Sequence, residues 1–264
     1  MTSEQTAKMT LAAGVVAGVA TQAVAQTDSA AVDKAFETLK TYDWGADRRL
    51  LNPIDQAINA TYGDVAARAA LEKRLVDALS GGLSRSAQDY VCRRLRVAGT
   101  AQSVPALAAL LPAEGTSHIA RYALERIADE KAAQALRDAL PQVDAKLKPG
   151  MIGSLGKRRD AKSVEAISKF LGDSDSGIAL AAAHSLGLIG TPAAAKELSQ
   201  FAKKAPAGMK MPVADAMLIC AEQLLADGRK AEAVVLYKEL QGKDQPAPVK
   251  VAAMKGMVAA TTRK

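Results

Sequence analysis

Few residues in this chain have types suited to chemistry. There are two histidines, His118 and His184, sixty-six positions apart, and two cysteines, Cys92 and Cys220. No cluster of His, Cys, Asp or Glu has metal-ligand spacing, so the sequence assigns no metal, no cofactor and no catalytic residue. The most distinctive short cluster is Ser117, His118, Arg121 and Tyr122. Spacings of three and four place His118, Arg121 and Tyr122 on part of one helical face. Arg121 can there grip a carboxylate or phosphate, or bridge to an acidic residue of a neighbouring helix pair. His118, close to helix-start amides that disfavour positive charge, reads as a capping or packing residue or a partner contact. His184, between Ala183 and Leu186, reads as a packing residue.

Trp44 is the sole tryptophan and stands among Tyr42, Asp43, Asp47 and Arg48. That grouping fits a packed cap with internal ion pairs, or a docking site. Two basic triplets follow, Arg93-Arg94 with Arg96, and Lys157-Arg158-Arg159. If their slots align, they form a basic ridge suited to an acidic protein partner. Asp160, Glu125 and Asp129 interrupt that field, and aromatic interleaving is missing, which disfavours nucleic acid. The glycines of "LGLIG" and "GSLG" are not phosphate loops, since they lack the Gly-x-Gly-x-x-Gly spacing and a preceding strand; they fit close helix contact or helix ends. The protein-binding candidates are therefore Trp44, Arg48, Arg94, His118, Arg121, Tyr122, Lys157 and Arg158.

The elements that must carry these residues are set by a beat of 31 positions through Leu124, Leu155 and Leu186, with Leu95 29 positions before the first. A second series, Leu107, Leu136, Ile167 and Leu198, runs in register with it. Two short helices per period describe an all-α, right-handed α-solenoid of stacked antiparallel helix pairs, with ten to thirteen helices expected. Residues 26–62 form a linker and an atypical capping segment, 63–204 the regular repeats, and 205–264 divergent helical repeats and a second cap. Within 63–80, Val65, Leu71, Leu75 and Leu79 line one helical side. "KKAPAGMKMP" is expected to make a longer connection before a helix over 212–227.

Hydrophobic residues make up 49% of the 264 and aromatics only 3%, which suits a thin core of Ala, Leu, Val and Ile between close helices. The formal charge of +7 is spread over a mixed surface and selects no partner class alone. Residues 11–20 are a short apolar run, and Ala23-Val24-Ala25 offers small residues at the −3 and −1 positions of a cleavage site. A signal peptide over 1–25 is expected, giving a periplasmic or secreted protein with no membrane span after its removal. Cys92 and Cys220 fall about four repeats apart, beyond disulfide reach, and are expected to be buried free thiols.

The segment "SGIALAAAHSLGLIGTPAAAKELSQFA" (176–202) resembles a HEAT repeat. Its first helix ends in an alanine-rich run plus Leu-Gly-x-Ile-Gly, and its second carries Ala194, Leu198 and Phe201. The segments at 117–140 and 151–171 resemble the same unit, the first without the two glycines and the second keeping Leu155-Gly156. Through "YDWGADRR", "SVPALAALL" and "SHIARYALE" the chain also resembles exported HEAT-repeat proteins of planctomycete-type bacteria. The resemblance implies a scaffold or adaptor that binds a protein and implies no reaction. An accessory subunit or enzyme with a pocket on the concave face, gathering Tyr42, Asp43, His118, Arg121 and Tyr122, is the alternative, and an envelope structural protein is a third reading.

Overall fold

The computed structural model describes residues 29–262, all helix, turn and loop, with no strand among them. The expected signal peptide and its cleavage point lie outside the described residues. The described chain holds fourteen α-helices, one above the expected count, in two compact units that divide between Ala98 and Gly99.

The first unit contains α1 (29–41), a 3-10 turn (Arg48–Leu51), α2 (Asn52–Ala60), α3 (Val65–Leu79) and α4 (Arg85–Ala98). Helix α1 buries Val32, Ala35, Phe36 and Leu39, a three- and four-residue stripe. Pro53 opens α2, where a missing N–H costs nothing. The Asp64 carboxylate accepts from the Ala67 N–H at 2.9 Å and starts α3. Leu71, Leu75 and Leu79 are buried along α3, but Val65 is 84% exposed. Val65 opens the first turn, beside the Tyr62–Asp64 loop, so its expected place on the core stripe is wrong.

The second unit continues with α5 (Val104–Ala108), α6 (Glu114–Leu124), α7 (Glu130–Ala139), α8 (Lys148–Lys157) and α9 (Val164–Ser168). It ends with α10 (Ser176–Ile189), α11 (Pro192–Ala202), α12 (Ala207–Ala226), α13 (Lys230–Glu239) and α14 (Ala247–Thr262). Even-numbered helices pack on one another in series, α6 on α8, α8 on α10, α10 on α12 and α12 on α14. Among the odd-numbered ones α5 meets α7, α9 meets α11 and α11 meets α13, which makes a second layer. Leu124, Leu155, Leu186, Leu107, Leu136, Ile167 and Leu198 are all fully buried, so both beats mark core positions of the two layers. Helix α12 begins before Pro212, inside the segment expected to be a connection.

Start signals recur down the stack. The side chains of Thr100, Asp129, Asp175 and Thr191 each accept an N–H of the element they precede, contacts worth about 1 kcal/mol apiece. Close approach is allowed by small residues. A Cβ on Gly156 would lie 2.7 Å from the Ser185 Cβ, and one on Gly187 would lie 2.7 Å from the Ala216 carbonyl oxygen. Gly156 of "GSLG" and Gly187 of "LGLIG" thus serve helix contact, Gly153 does not, and Gly190 ends α10 at φ +63°.

Candidate functional site: an arginine-lined groove beside Trp44

The first unit contains a groove of about 690 Å³. One side is the loop after α1, with Tyr42, Trp44, Gly45 and Arg48. The other is a stripe of α4 carrying Arg85, Ser86, Asp89, Tyr90, Arg93 and Arg94. Those six positions recur at spacings of one, three and four, so they share one helical face.

The loop is fixed at several points. The Ser84 hydroxyl donates to the Tyr42 carbonyl at 2.6 Å while accepting from the Ala87 N–H at 3.1 Å, so one side chain ties the loop to the start of α4. The Trp44 N–H and the Ser86 and Ser84 hydroxyls hold the Asp43 carboxyl below its ordinary value. Gly45 sits at φ +86°, a left-handed conformation that an L residue adopts at a cost. Trp44 is nevertheless 93% exposed. The packing part of the cap reading is therefore wrong: the segment carries ion pairs, Arg48 to Asp55 and Arg49 to Asp47, but residues 43–50 are exposed and the indole stands in solvent.

Beneath the groove lies an ionic cluster. Arg48 donates to Asp55 at 2.5 Å and to Asn52 at 3.1 Å, and Arg94 closes on the other Asp55 oxygen. The Tyr90 hydroxyl donates to Asp55 at 2.9 Å and contacts the Leu51 carbonyl at 3.1 Å. Both guanidinium groups lie over the Tyr90 ring, 4.8 Å away for Arg48 and 5.0 Å for Arg94, a cation–π arrangement. Partial burial opposes ionisation of Asp55, but hydrogen bonds from Arg48, Arg94 and Tyr90 outweigh it and hold the carboxyl below its ordinary value. Burial, then the Asp55 charge, pushes the Tyr90 phenol well up. At the rim, Arg93 pairs with Asp89 of its own helix at 2.7 Å.

The remaining candidates lie in the second unit. Arg121 is half-buried and donates to the Gly150 carbonyl at 2.9 Å and to the Ser154 hydroxyl at 3.2 Å, while Ser154 meets Glu125 at 2.8 Å. Arg158 wraps the end of α6, donating to the carbonyls of Leu124, Ile127 and Asp129 at 2.5, 2.6 and 3.1 Å. Arg158 thus satisfies carbonyls left open at the end of α6, and Arg121 bridges α6 to α8, so both side chains are engaged within their own unit. Lys157 is exposed and pairs with Glu125 at 3.2 Å. His118 and Tyr122 are exposed on α6, and Tyr122 only partly, at 38%. His184, expected to pack, is exposed on α10. Arg159 turns outward to Asp227 at 2.5 Å. Every member of the second triplet thus has an acidic or carbonyl partner in its own unit. Among the described residues no group of three or more His, Cys, Asp and Glu is arranged to hold a metal ion.

Arg85, Asp89 and Tyr90 were not singled out from sequence. The signal was present, since Arg85, Asp89 and Arg93 recur every four residues and share a helical side. Asp55, which gathers Arg48, Arg94 and Tyr90, gives no local sign of that role.

Residues 143–217 match the family model for HEAT repeats. No curated protein sequence matches the chain. Among solved structures, the complex of CpcE and CpcF of phycocyanin lyase from Nostoc is similar at 17% identity over 85% of this chain and 94% of that one, with a TM-score of 0.42. Human deoxyhypusine hydroxylase in complex with glycerol shows 13% identity over 90% and 99%, with a TM-score of 0.38. The archaeal HEAT-like repeats protein from Thermococcus onnurineus shows 16% over 88% and 92%, with a TM-score of 0.35. The layered helix pairs and the matched repeats define a HEAT/ARM-like α-solenoid fold. No helix of the described residues is long and apolar enough to cross a membrane.

Proposed function

We propose that this protein is a non-enzymatic adaptor that binds another protein in the cell envelope, with the Trp44 groove as a principal contact. The observation that carries this reading is an exposed indole on a fixed loop, beside arginines held in place by a shared carboxylate. Trp, Tyr and Arg dominate the energetics of protein interfaces because each offers a large contact area with a polar handle. A fixed loop also lowers the ordering cost of binding. The apolar run at 11–20 followed by Ala23-Val24-Ala25 supports export to the envelope.

A photo-crosslinking residue at position 44, introduced in the native cell, tests the binding reading. One reproducible crosslinked protein, absent when the same residue replaces exposed Glu165 on α9, is the expected result. Equal yields from both positions would reject it. Fusing residues 1–25 to a phosphatase that is active only outside the cytoplasm tests export separately; an inactive, uncleaved fusion would reject the envelope placement.

A further inference from the structure

A second groove, of about 380 Å³, lies between α11 and α13 in the second unit. Lys196 and Lys203 rim it from α11, and Glu232 and Glu239 from α13. Each pair is seven residues apart, two helical turns or about 10 Å, so each wall carries charge of one sign. Between the rows lie Ala195 and Ser199 on one wall and Val235 on the other. Val235 is 55% exposed, and the small side chains one turn apart on α11 leave room beside it. Opposite charges on successive helix pairs elsewhere in this unit meet: Lys162 pairs with Glu130 at 2.9 Å, Arg137 with Asp160 at 2.7 Å and Lys157 with Glu125 at 3.2 Å. Across the α11–α13 groove no ion pair forms among the described residues, and Lys196, Lys203 and Glu239 hold no side-chain hydrogen bond to any of them. Glu232 is held by Arg229 at 2.9 Å.

We infer that this groove binds an amphipathic helix of a protein partner, with two acidic residues seven positions apart on one flank, a basic residue on the other and an apolar stripe between them. Two helical walls seat a third helix along the groove between them. The positions on either side of its apolar stripe then point to opposite walls, and residues seven apart recur on the same flank. The acids meet Lys196 and Lys203, and the base meets Glu239. The stripe covers Val235 and fills the space over Ala195 and Ser199. Glu232 stays on Arg229. A partner of single-sign charge would suit one wall and be repelled by the other. This site is separate from the Trp44 groove, and its failure would leave the position-44 crosslink as the test of the adaptor reading.

The full chain is titrated, by fluorescence anisotropy, into labelled alanine-rich helical peptides that share one leucine stripe and differ only on its flanks. One carries glutamate on one flank and lysine on the other; the rest carry glutamate, lysine or glutamine on both. The mixed peptide should saturate and weaken with salt. The glutamine peptide should bind roughly tenfold less tightly, the sum of three exposed charge contacts. The chain's formal charge is +7, so unspecific attraction would instead favour the all-glutamate peptide. The variant Glu239→Lys should shift the preference to the all-glutamate peptide, and Lys196→Glu/Lys203→Glu to the all-lysine one. Equal binding of mixed and glutamine peptides, tighter binding of the all-glutamate peptide by the parent protein, or no saturable binding would overturn the inference. So would self-association of the chain that Lys196→Glu/Lys203→Glu abolishes, since a second copy would then fill the groove. If a variant loses its helical circular dichroism, the four peptides on the parent protein decide alone.

Discussion

Two glycines of one helix should respond oppositely to the same substitution. Gly153 and Gly156 both lie inside α8. A methyl on Gly153 meets nothing within 4 Å. Gly153→Ala therefore gains only the helical preference of alanine, about 0.5–1 kcal/mol of added stability. A methyl on Gly156 comes within 2.7 Å of the Cβ and Oγ of Ser185 and 2.8 Å of its Cα. A Cα cannot rotate away, so α8 and α10 must separate by about 1 Å to restore ordinary carbon contact near 3.5–4 Å. Overpacking of that kind costs about 1–3 kcal/mol, more than the helical preference returns. Gly156→Ala should therefore lose about 1–2 kcal/mol net. Urea unfolding followed by far-ultraviolet circular dichroism measures both variants against the parent, at unchanged urea dependence. A Gly156→Ala protein as stable as Gly153→Ala would refute the close α8–α10 contact.

Arg159, two residues past the end of α8, takes a left-handed backbone at φ +52°, as does Gly190 31 positions later in the repeat register. Arg159→Gly should exceed Arg159→Ala in urea stability by about 1 kcal/mol, since both lose the Asp227 contact and only glycine relieves the backbone. Burial pushes the Cys92 and Cys220 thiols up to about 12; a disulfide reagent at pH 8 should leave both unreacted in the native protein and label both in denaturant. The depressed pKa of Asp55 means its stabilising contribution is complete above its ordinary value of 3.8 and disappears as pH falls through the lowered folded value. Asp55→Asn should thus be less stable than the parent by about 1–2 kcal/mol at pH 7, with the gap closing in acid; a gap constant from pH 7 to pH 2 would reject the charge assignment.

What was legible in the sequence follows from what periodicity encodes. The leucine beats resolve into core positions because a repeat must bury the same slot in every turn of the stack. The caps were legible where chemistry is local, as with Thr191 before Pro192. Side-chain direction at repeat edges was not. Lys157 and Arg158 are adjacent and equally basic, yet Lys157 reaches an exposed pair with Glu125 and Arg158 turns onto three carbonyls at the end of α6. That difference depends on which carbonyls the preceding repeat leaves open, a fact of stacking. His184 shows the converse, since apolar neighbours in sequence share its helix without sharing its face.

The Trp44 groove lay furthest from local reading because it is assembled across the chain. Its two sides come from residues 42–48 and 85–94, joined by the Ser84–Tyr42 hydrogen bond spanning 42 positions. Separately, each side has an ordinary explanation: a lone tryptophan packs a cap, and a basic helix face is solvated. Asp55 changes both. By taking Arg48 from the loop side and Arg94 from α4, it uses the charge that could have bridged the sides by a direct pair, and it fixes both guanidinium groups over Tyr90. The indole, on a loop pinned by Ser84 and Asp43, is then kept from closing onto the core. An exposed tryptophan costs solvation that a packed one does not, and the contacts that fix its loop border the arginine-lined groove beside it.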